Sequence, residues 1–289
     1  MDKAAVIDIG SNTLRYAEGR LCLNGLKLTT KKLIRMTRLA SGQQESGMLS
    51  NKPMQDSMQA LLEFKDMAKE KDLPIFCYAT SAVREAKNRE QFLSEVFQKT
   101  GINIDVLSGD EEARLAYLGA TGGRGGLIDI GGGSTQIVND KGSISVPIGC
   151  VRGREIMLDQ GDFDHQRALL EAELSKKLLP FTLPISDEYT GVGGTITTLC
   201  ALHIGLTEYD GALVHGTKLT LKRIEEFIRL LSENCEYRIN HPLLKQRHDV
   251  ILPGAIIIAY ELRLLNKDHI TVSDADGMEG YLLHKLAAL

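Results

Sequence analysis

The feature that most constrains the fold is a short pattern that occurs twice. Residues 4–13 read AAVIDIGSNT and residues 126–135 read GLIDIGGGST, so each copy has an apolar run, Asp-Ile-Gly and a small polar turn. A second strand-like run follows each turn, at 14–17 and 136–138, which predicts two β-hairpins. A chain that carries the same device twice is expected to fold as two related halves.

Strands and helices alternate along the rest of the chain, which is typical of α/β layers. A helix is predicted to begin near Ser108, because Ser108 and Glu111 have the spacing of a capping box. At 289 residues the chain is longer than a single core usually becomes, which favours two domains. The other predicted elements are strands at 75–79, 102–107 and 189–192, and helices at 54–67, 90–99, 167–179, 195–203, 221–232 and 254–265.

Composition and charge exclude several classes of function. A formal net charge of -4 disfavours a general nucleic-acid-binding protein, and the sequence has no run of about 20 apolar residues to cross a membrane. The cysteines and histidines are scattered, without the spacing of a disulfide framework or a zinc site. The N-terminal residues do not have the layout of a signal peptide. We therefore expect a cytoplasmic protein that binds neither nucleic acid nor membranes.

The two Asp-Ile-Gly turns are candidates for binding phosphate. Glycine-rich turns bring backbone N–H groups close to phosphate oxygens, because no Cβ atom intervenes. Asp8 and Asp129, which lie beside the turns, could hold a hydrated Mg²⁺ against the phosphates. The alternative is that both turns are hairpin corners with a capping aspartate. The candidate phosphate-binding residues are Gly10, Ser11, Asn12 and Thr13 in the first turn, and Gly131, Gly132, Gly133, Ser134 and Thr135 in the second.

A third glycine-rich turn, at 191–195, lies after a predicted strand and before a predicted helix. The N–H groups at the start of a helix favour an anion, so Gly193 and Gly194 are further candidates for binding phosphate. The three turns, in this order, resemble those of the superfamily of actin and the sugar kinases. Proteins of that superfamily have two lobes that clamp phosphates between paired hairpins.

Longer segments resemble one family within that superfamily. They read ATSAVREA at 79–86, SGDEEAR at 108–114, DIGGGST at 129–135, VPIGCVR at 146–152 and RHDVILPGA at 247–255. These segments resemble the Ppx/GppA family of exopolyphosphatases and guanosine pentaphosphate phosphatases, in its short two-domain form. The resemblance covers nearly the whole chain.

The resemblance implies an α/β fold with two actin-like (ribonuclease H-like) domains and an interdomain cleft that takes the substrate. We expect the first domain at 1–118 and the second at 119–274. A C-terminal helix at 277–289 is expected to pack back on the first domain. A homodimer is expected from the resemblance alone.

The resemblance also implies roles for two charged residues. Glu112 matches the catalytic carboxylate of the family and is expected to act as general base, and crowding by Asp110 and Glu111 is expected to raise the proton affinity of this acidic cluster. The alternative is an acidic first turn that complements the helix dipole. Arg84 is expected to pair with substrate phosphate, the alternative being a solvated side chain. A basic stretch in the sequence either lines a path for a polyanion or is a solvated face. Its residues are Lys31, Lys32, Arg35 and Arg38.

One position departs from the family pattern. The residue after Gly-Gly-Gly-Ser-Thr is typically Glu in the family and is Gln136 here, so metal affinity or rate is expected to be lower. The leading hypothesis is a Mg²⁺-dependent phosphohydrolase that releases terminal phosphate from inorganic polyphosphate or guanosine pentaphosphate. Two alternatives stay open: a sensor that binds such a ligand without turnover, and an ATP-dependent kinase of the same superfamily.

Overall fold

The computed structural model describes residues 2–23, 25–157 and 161–288. The chain divides into two compact units, of which unit 1 comprises Met1–Gly119 and Gly277–Leu289 and unit 2 comprises Ala120–Asp276. Each unit contains a six-stranded sheet within the described residues. The α/β fold class expected from the sequence is confirmed.

The strands are numbered along the chain. They are β1 Lys3–Ile9, β2 Thr13–Cys22, β3 Gly25–Leu28, β4 Leu33–Met36, β5 Ile75–Ala79, β6 Ile104–Val106, β7 Gly126–Ile130, β8 Thr135–Asn139, β9 Gly142–Val146, β10 Tyr189–Val192, β11 Lys218–Thr220 and β12 His269–Val272.

The helices are numbered in the same way. They are α1 Gln43–Ser46, α2 Asn51–Glu70, α3 Ser81–Arg84, α4 Arg89–Thr100, α5 Gly109–Thr121, α6 Cys150–Met157, α7 Phe163–Leu178, α8 Gly194–His203, α9 Gly211–Val214, α10 Leu221–Glu233, α11 Cys235–Asn240, α12 Ile251–Leu264 and α13 Gly277–Ala287.

In unit 1 the sheet has the order β3-β2-β1-β5-β6, and β4 also pairs with β2. Strand β1 is antiparallel to β2 and parallel to β5. Because parallel strands end at the same edge of a sheet, the segments that follow β1 and β5 become neighbours. The N–H of Thr80, just after β5, donates to the carbonyl of Ile9 at 3.2 Å. The turn after β1 therefore lies beside the start of α3.

The C-terminal helix α13 belongs to the core of unit 1. Its side chains Met278, Tyr281 and Leu282 share one apolar cluster with residues of β1 and β2 such as Val6 and Ala17. A Cβ atom on Gly280 would lie 1.9 Å from the carbonyl oxygen of Leu115, so the close approach of α13 to α5 requires glycine there.

In unit 2 the sheet has the order β11-β12-β10-β7-β8-β9. Strand β7 is antiparallel to β8 and parallel to β10, as β1 is to β2 and β5. The repeated sequence pattern therefore produces the same strand arrangement twice. Helix α12 is buried along most of its length and packs Ile256, Ile257 and Leu262 into the apolar cluster that covers Ile128 and Ile130.

Most long elements lie where the sequence predicts them. The strands predicted at 75–79 and 189–192 coincide with β5 and β10. Helix α7 begins at Phe163 rather than at 167, because the side chain of Asp162 accepts the N–H of His165 at 2.9 Å and caps an earlier turn. The sequence did not predict β3, β4, β9, β11, β12 or α6, which are short. Among the described helices, none combines the length and apolar character needed to cross a bilayer.

Candidate active site

The first glycine turn of unit 1 is a tight hairpin corner. The N–H of Gly10 donates to the carbonyl of Thr13 at 3.0 Å, and a Cβ atom on Gly10 would lie 3.0 Å from that same oxygen. Ser11 and Asn12 at the corner are buried, Asn12 with 7% of its surface exposed. Among the described residues, nothing accepts a hydrogen bond from Asn12 Nδ2. A buried donor in this state is suited to an anionic ligand.

Asp8, the predicted metal ligand of unit 1, lies opposite Arg15 across the hairpin. Arg15 donates to Asp8 Oδ2 from Nε at 2.8 Å and from Nη2 at 2.5 Å. The carboxylate is buried, and this pairing offsets the cost of removing it from water.

The structure brings Glu112 and Arg84 together. Arg84 Nη1 donates to Glu112 Oε2 at 3.0 Å and to the carbonyl of Leu107 at 2.9 Å. Arg84 ends α3, and the start of that helix is joined to the glycine turn, since the hydroxyls of Ser11 and Ser81 lie 2.9 Å apart. The predicted general base Glu112 and the predicted phosphate-binding residue Arg84 are thus neighbours, although they are 28 positions apart in sequence.

Burial is the main reason that the pKa of Glu112 is raised to about 7. Arg84 opposes the shift, while the negative charges of Asp8 and Glu85 add to it. The side chain is 15% exposed, so solvent still reaches it. A carboxyl with this pKa can accept a proton near neutral pH and return it.

The direction of that pKa shift is as expected, but its main cause is burial rather than the neighbouring carboxylates. Ser108 and Glu111 form the predicted capping box, in which the N–H and hydroxyl of Ser108 donate to Glu111 Oε2 at 2.9 and 2.8 Å. These hydrogen bonds lower the pKa of Glu111 and turn its carboxylate back toward Ser108. The largest contributions to the raised pKa of Glu112 come from burial and from the charges of Asp8 and Glu85 rather than from Asp110 and Glu111.

The glycine turn of unit 2 repeats the corner of unit 1. The N–H of Gly131 donates to the carbonyl of Ser134 at 3.0 Å. The start of α6 packs on this turn, where the N–H of Cys150 donates to the carbonyl of Gly131 at 2.9 Å. A Cβ atom on Gly149 would lie 2.4 Å from the same carbonyl oxygen. The segment 146–152 therefore supports the turn, a role that the sequence did not reveal.

Gln136 lies directly opposite Asp129 in the β7–β8 ladder, so both side chains project from the same face of the sheet. Its Nε2 donates to the hydroxyl of Ser134 at 3.0 Å and to that of Ser145 at 3.4 Å. Its buried Oε1 accepts no hydrogen bond from any described residue. The neighbouring Thr135 hydroxyl donates inward, to the carbonyl of Ile148 at 2.6 Å.

The third glycine turn begins α8. Gly193 adopts a positive φ of 94°, and a Cβ atom there would lie 2.5 Å from the carbonyl oxygen of Ile130. A Cβ atom on Gly194 would lie 2.3 Å from Arg247 Nη1, so the guanidinium rests directly on this turn. Arg247 was not among the predicted site residues. Its place in the segment 247–255 was the available signal.

Two residues of the basic stretch are held by carboxylates within unit 1. Lys32 Nζ lies 3.0 Å from Glu279 Oε1, and Arg35 Nε donates to Glu63 Oε2 at 2.9 Å. The hydrogen bond to Arg35 lowers the pKa of Glu63. These pairs anchor α13 and α2 to the sheet, which favours the structural alternative for Lys32 and Arg35.

The carboxylate oxygens beside the glycine turns are ligands of the kind that suit a hard cation such as Mg²⁺. No cluster of three or more His, Cys, Asp or Glu side chains suited to a metal occurs among the described residues. Mg²⁺, however, often binds through one or two carboxylates together with substrate phosphates. Asp8 and Asp129 each supply a carboxylate beside a glycine turn, and the unused Oε1 of Gln136 is an acceptor that a metal-bound water can fill.

Two sheets with matching strand arrangement, each with a glycine corner and an aspartate near the end of its first strand, define a phosphate-handling protein of the actin-like class. A family model described as the Ppx/GppA phosphatase family matches residues 25–289, and the chain belongs to that family.

Solved and curated relatives agree with this assignment. The crystal structure of the Aquifex aeolicus family member superposes with a TM-score of 0.80 at 30% identity, covering 99% of this chain and 98% of that one. The Mycobacterium tuberculosis protein named exopolyphosphatase 2 is 29% identical to this chain, and the alignment covers 98% of each protein. A guanosine-5'-triphosphate,3'-diphosphate pyrophosphatase from Aliivibrio fischeri is 30% identical over 96% of this chain. The chain spans 58% of the length of that protein and 46% of another curated relative.

Proposed function

We propose that this protein is a phosphohydrolase that releases terminal phosphate from inorganic polyphosphate or from guanosine pentaphosphate. The observation that carries the proposal is the pairing of Glu112 with Arg84. The carboxyl of Glu112 has a pKa of about 7, and Arg84 lies on α3, which is joined to a glycine turn. The names of the two curated relatives support the reaction and the two substrates.

In the proposed reaction Glu112 accepts a proton from a water molecule. The water oxygen attacks the terminal phosphorus in line with the bridging P–O bond. That bond breaks and its electron pair stays on the bridging oxygen, so orthophosphate and a chain shorter by one phosphate are formed. Arg84 contributes a fixed positive charge, which stabilises the negative charge of the transferring group.

Hydrogen-bond donors in both units are proposed to bind the phosphates. Asn12 Nδ2 is a buried donor without an acceptor among the described residues, and Arg247 lies on the turn that begins α8. Backbone N–H groups of the glycine corners would add further donors, since glycine allows close approach. The residues proposed to bind phosphate are Gly10, Ser11, Asn12, Thr13, Arg84, Gly131, Gly132, Gly133, Ser134, Thr135, Gly193 and Gly194, together with Arg247.

Asp8 and Asp129 are proposed to hold a divalent cation, with Mg²⁺ the best fit to carboxylate oxygens. When bound, such an ion would neutralise part of the phosphate charge. Gln136 cannot add a negative charge beside Asp129, but its Oε1 can accept a hydrogen bond from water. This arrangement is expected to bind the ion more weakly than a site with a second carboxylate.

Gln136 also favours a second candidate function. A site that binds phosphate chains well but holds its metal weakly would act as a sensor rather than an enzyme. Binding without turnover distinguishes this alternative from hydrolysis.

The test is phosphate release from polyphosphate, guanosine pentaphosphate and ATP, each with Mg²⁺ and with EDTA. Wild type is compared with Glu112→Gln, which keeps the size of the side chain and removes the base. Glu111→Gln is the matched control, because glutamine can keep the capping box in the same helical turn. We expect release that Glu112→Gln abolishes and Glu111→Gln preserves.

Equal release by wild type and Glu112→Gln would remove Glu112 from the mechanism. Tight binding of polyphosphate without release by wild type would support the sensor instead. Transfer of phosphate to an added acceptor, in place of water, would indicate a kinase.

A further inference from the structure

A loop of unit 1 that follows β4 contacts both the first glycine turn and helix α3. It contains the short helix α1, which lies between Gly42 with φ 73° and Gly47 with φ 69°. The first residue of α1, Gln43, is buried with 6% of its surface exposed. Its Nε2 donates to the carbonyl of Ala82 at 2.7 Å, across 39 positions of sequence.

The carbonyl of Ala82 lies at the end of a helix too short to use it fully. Helix α3 has four residues, and the N–H of Ala86, four positions after Ala82, bonds to Val83 at 3.2 Å. Carbonyls in the last turn of a helix need partners from outside the helix. Gln43 supplies one, two residues before Arg84.

The same loop is attached to the first glycine turn. The N–H of Arg38 donates to the carbonyl of Asn12 at 3.0 Å, and the N–H of Ala40 donates to that of Ser11 at 2.9 Å. The N–H of Gln43 donates in turn to the carbonyl of Ala40 at 3.1 Å. A continuous set of hydrogen bonds therefore joins the glycine turn to α3 through Gln43.

Packing alone does not account for a glutamine at this place. Its Oε1 is buried and accepts no hydrogen bond from the described part of the chain. Leaving a buried acceptor unused is unfavourable, so an apolar side chain of the same size would be more stable if filling space were the only requirement. The bond from Nε2 to Ala82 is what the amide adds.

We propose that Gln43 is a positioning residue, which holds α3 so that Arg84 stays in place against Glu112 and the glycine turn. This inference rests on the proposed function. It assigns to Gln43 no contact with substrate. Its effect passes through the carbonyl of Ala82 and along α3 to Arg84, which lies two positions further on.

The test is Gln43→Met, which keeps the length of the side chain and removes the donor. The matched control is Gln98→Met, because Gln98 is exposed and its Nε2 bonds only locally, to Ser94 Oγ at 3.3 Å. We expect Gln43→Met to lower kcat about tenfold, as misplacement of a catalytic group does. Its melting temperature should stay close to that of wild type, because removal of the unpaired Oε1 offsets the lost bond to the Ala82 carbonyl. Gln98→Met should leave both unchanged.

A second measurement follows the charge on Glu112 without turnover. Infrared titration of the carboxyl band, taken as the difference between wild type and Glu112→Gln, reports its pKa. The charge of Arg84 lowers that pKa, whereas Asp8 and Glu85 raise it. A displaced Arg84 in Gln43→Met should therefore move the titration to higher pH, and the acid limb of the kcat/KM profile should move with it.

Wild-type kcat and an unchanged Glu112 titration in Gln43→Met would overturn the proposal. Should Gln43→Met fail to fold, Gln43→Leu is the second variant, because leucine fills part of the same space and has no hydrogen-bond donor. It should show the same loss of kcat, and wild-type behaviour would again refute the idea. If wild type itself releases no phosphate, the infrared titration still tests the position of Arg84, so the two proposals fail separately.

Discussion

Glu261 provides a sharp test of how the core of unit 2 is built. The side chain has no exposed surface, and neither carboxyl oxygen has a hydrogen-bond partner in the described part of the chain. It lies on α12 among apolar residues such as Ile257, Ile258 and Leu262. Burial, with a smaller contribution from the charge of Asp129, raises its pKa well above the usual value of 4.5. We predict that Glu261→Met stabilises the protein.

The magnitude follows from two effects. An unpaired buried polar group costs about 1–3 kcal/mol, which methionine of similar volume removes at every pH. The second effect depends on pH, because the folded-state pKa lies above that of the unfolded chain. The stability contributed by the protonated group is complete below the unfolded pKa and is lost as pH rises through the folded pKa. Each pH unit between the two values costs about 1.4 kcal/mol.

The assay is urea unfolding of wild type and Glu261→Met at pH 5 and pH 8. The control is Glu173→Met on α7, where the side chain is 41% exposed. The variant should gain at least about 1–3 kcal/mol at pH 5 and more at pH 8. For a domain of this size, each kcal/mol raises the melting temperature by about 2–4 °C. A variant less stable than wild type, or a gain that does not grow with pH, would show that Glu261 has a partner in solution and refute the reasoning.

Three further predictions concern the site. Gly149→Ala should lower the melting temperature, because the new Cβ atom would lie 2.4 Å from the carbonyl oxygen of Gly131 and overpacking of this kind costs about 1–3 kcal/mol. Thermal unfolding measures the loss, and the control is Gly142→Ala, whose Cβ atom would meet nothing within 4 Å. Gln136→Glu should tighten Mg²⁺ binding measured by calorimetry, and no change would show that glutamine is an adequate substitute. The rate of phosphate release should fall as pH drops through about 7, where Glu112 gains a proton, and a rate independent of pH between 5 and 8 would contradict its role as base.

Local signals determined much of this protein from sequence alone. The two Asp-Ile-Gly hairpins, the strands at 75–79 and 189–192 and the capping box of Ser108 and Glu111 depend on residues that are close in the chain. The hydrophobic periodicity, the glycine turns and the helix caps can therefore be recognised in the sequence alone. The repeat itself predicted two halves, since the same short pattern dictates the same pairing of strands.

Tertiary structure decided which groups are in contact and how far each is buried from solvent. Arg84 reaches Glu112 and Gln43 reaches Ala82 in unit 1, and Arg247 rests on Gly194 in unit 2, only because segments that are distant in sequence pack together within each unit. The sequence predicted a raised proton affinity for Glu112 but assigned it to adjacent carboxylates, whereas burial is its main cause. Burial of a side chain is a sum over contacts from distant segments. No pattern in the neighbouring residues reports it, and for this reason the chemistry of the site followed from the fold.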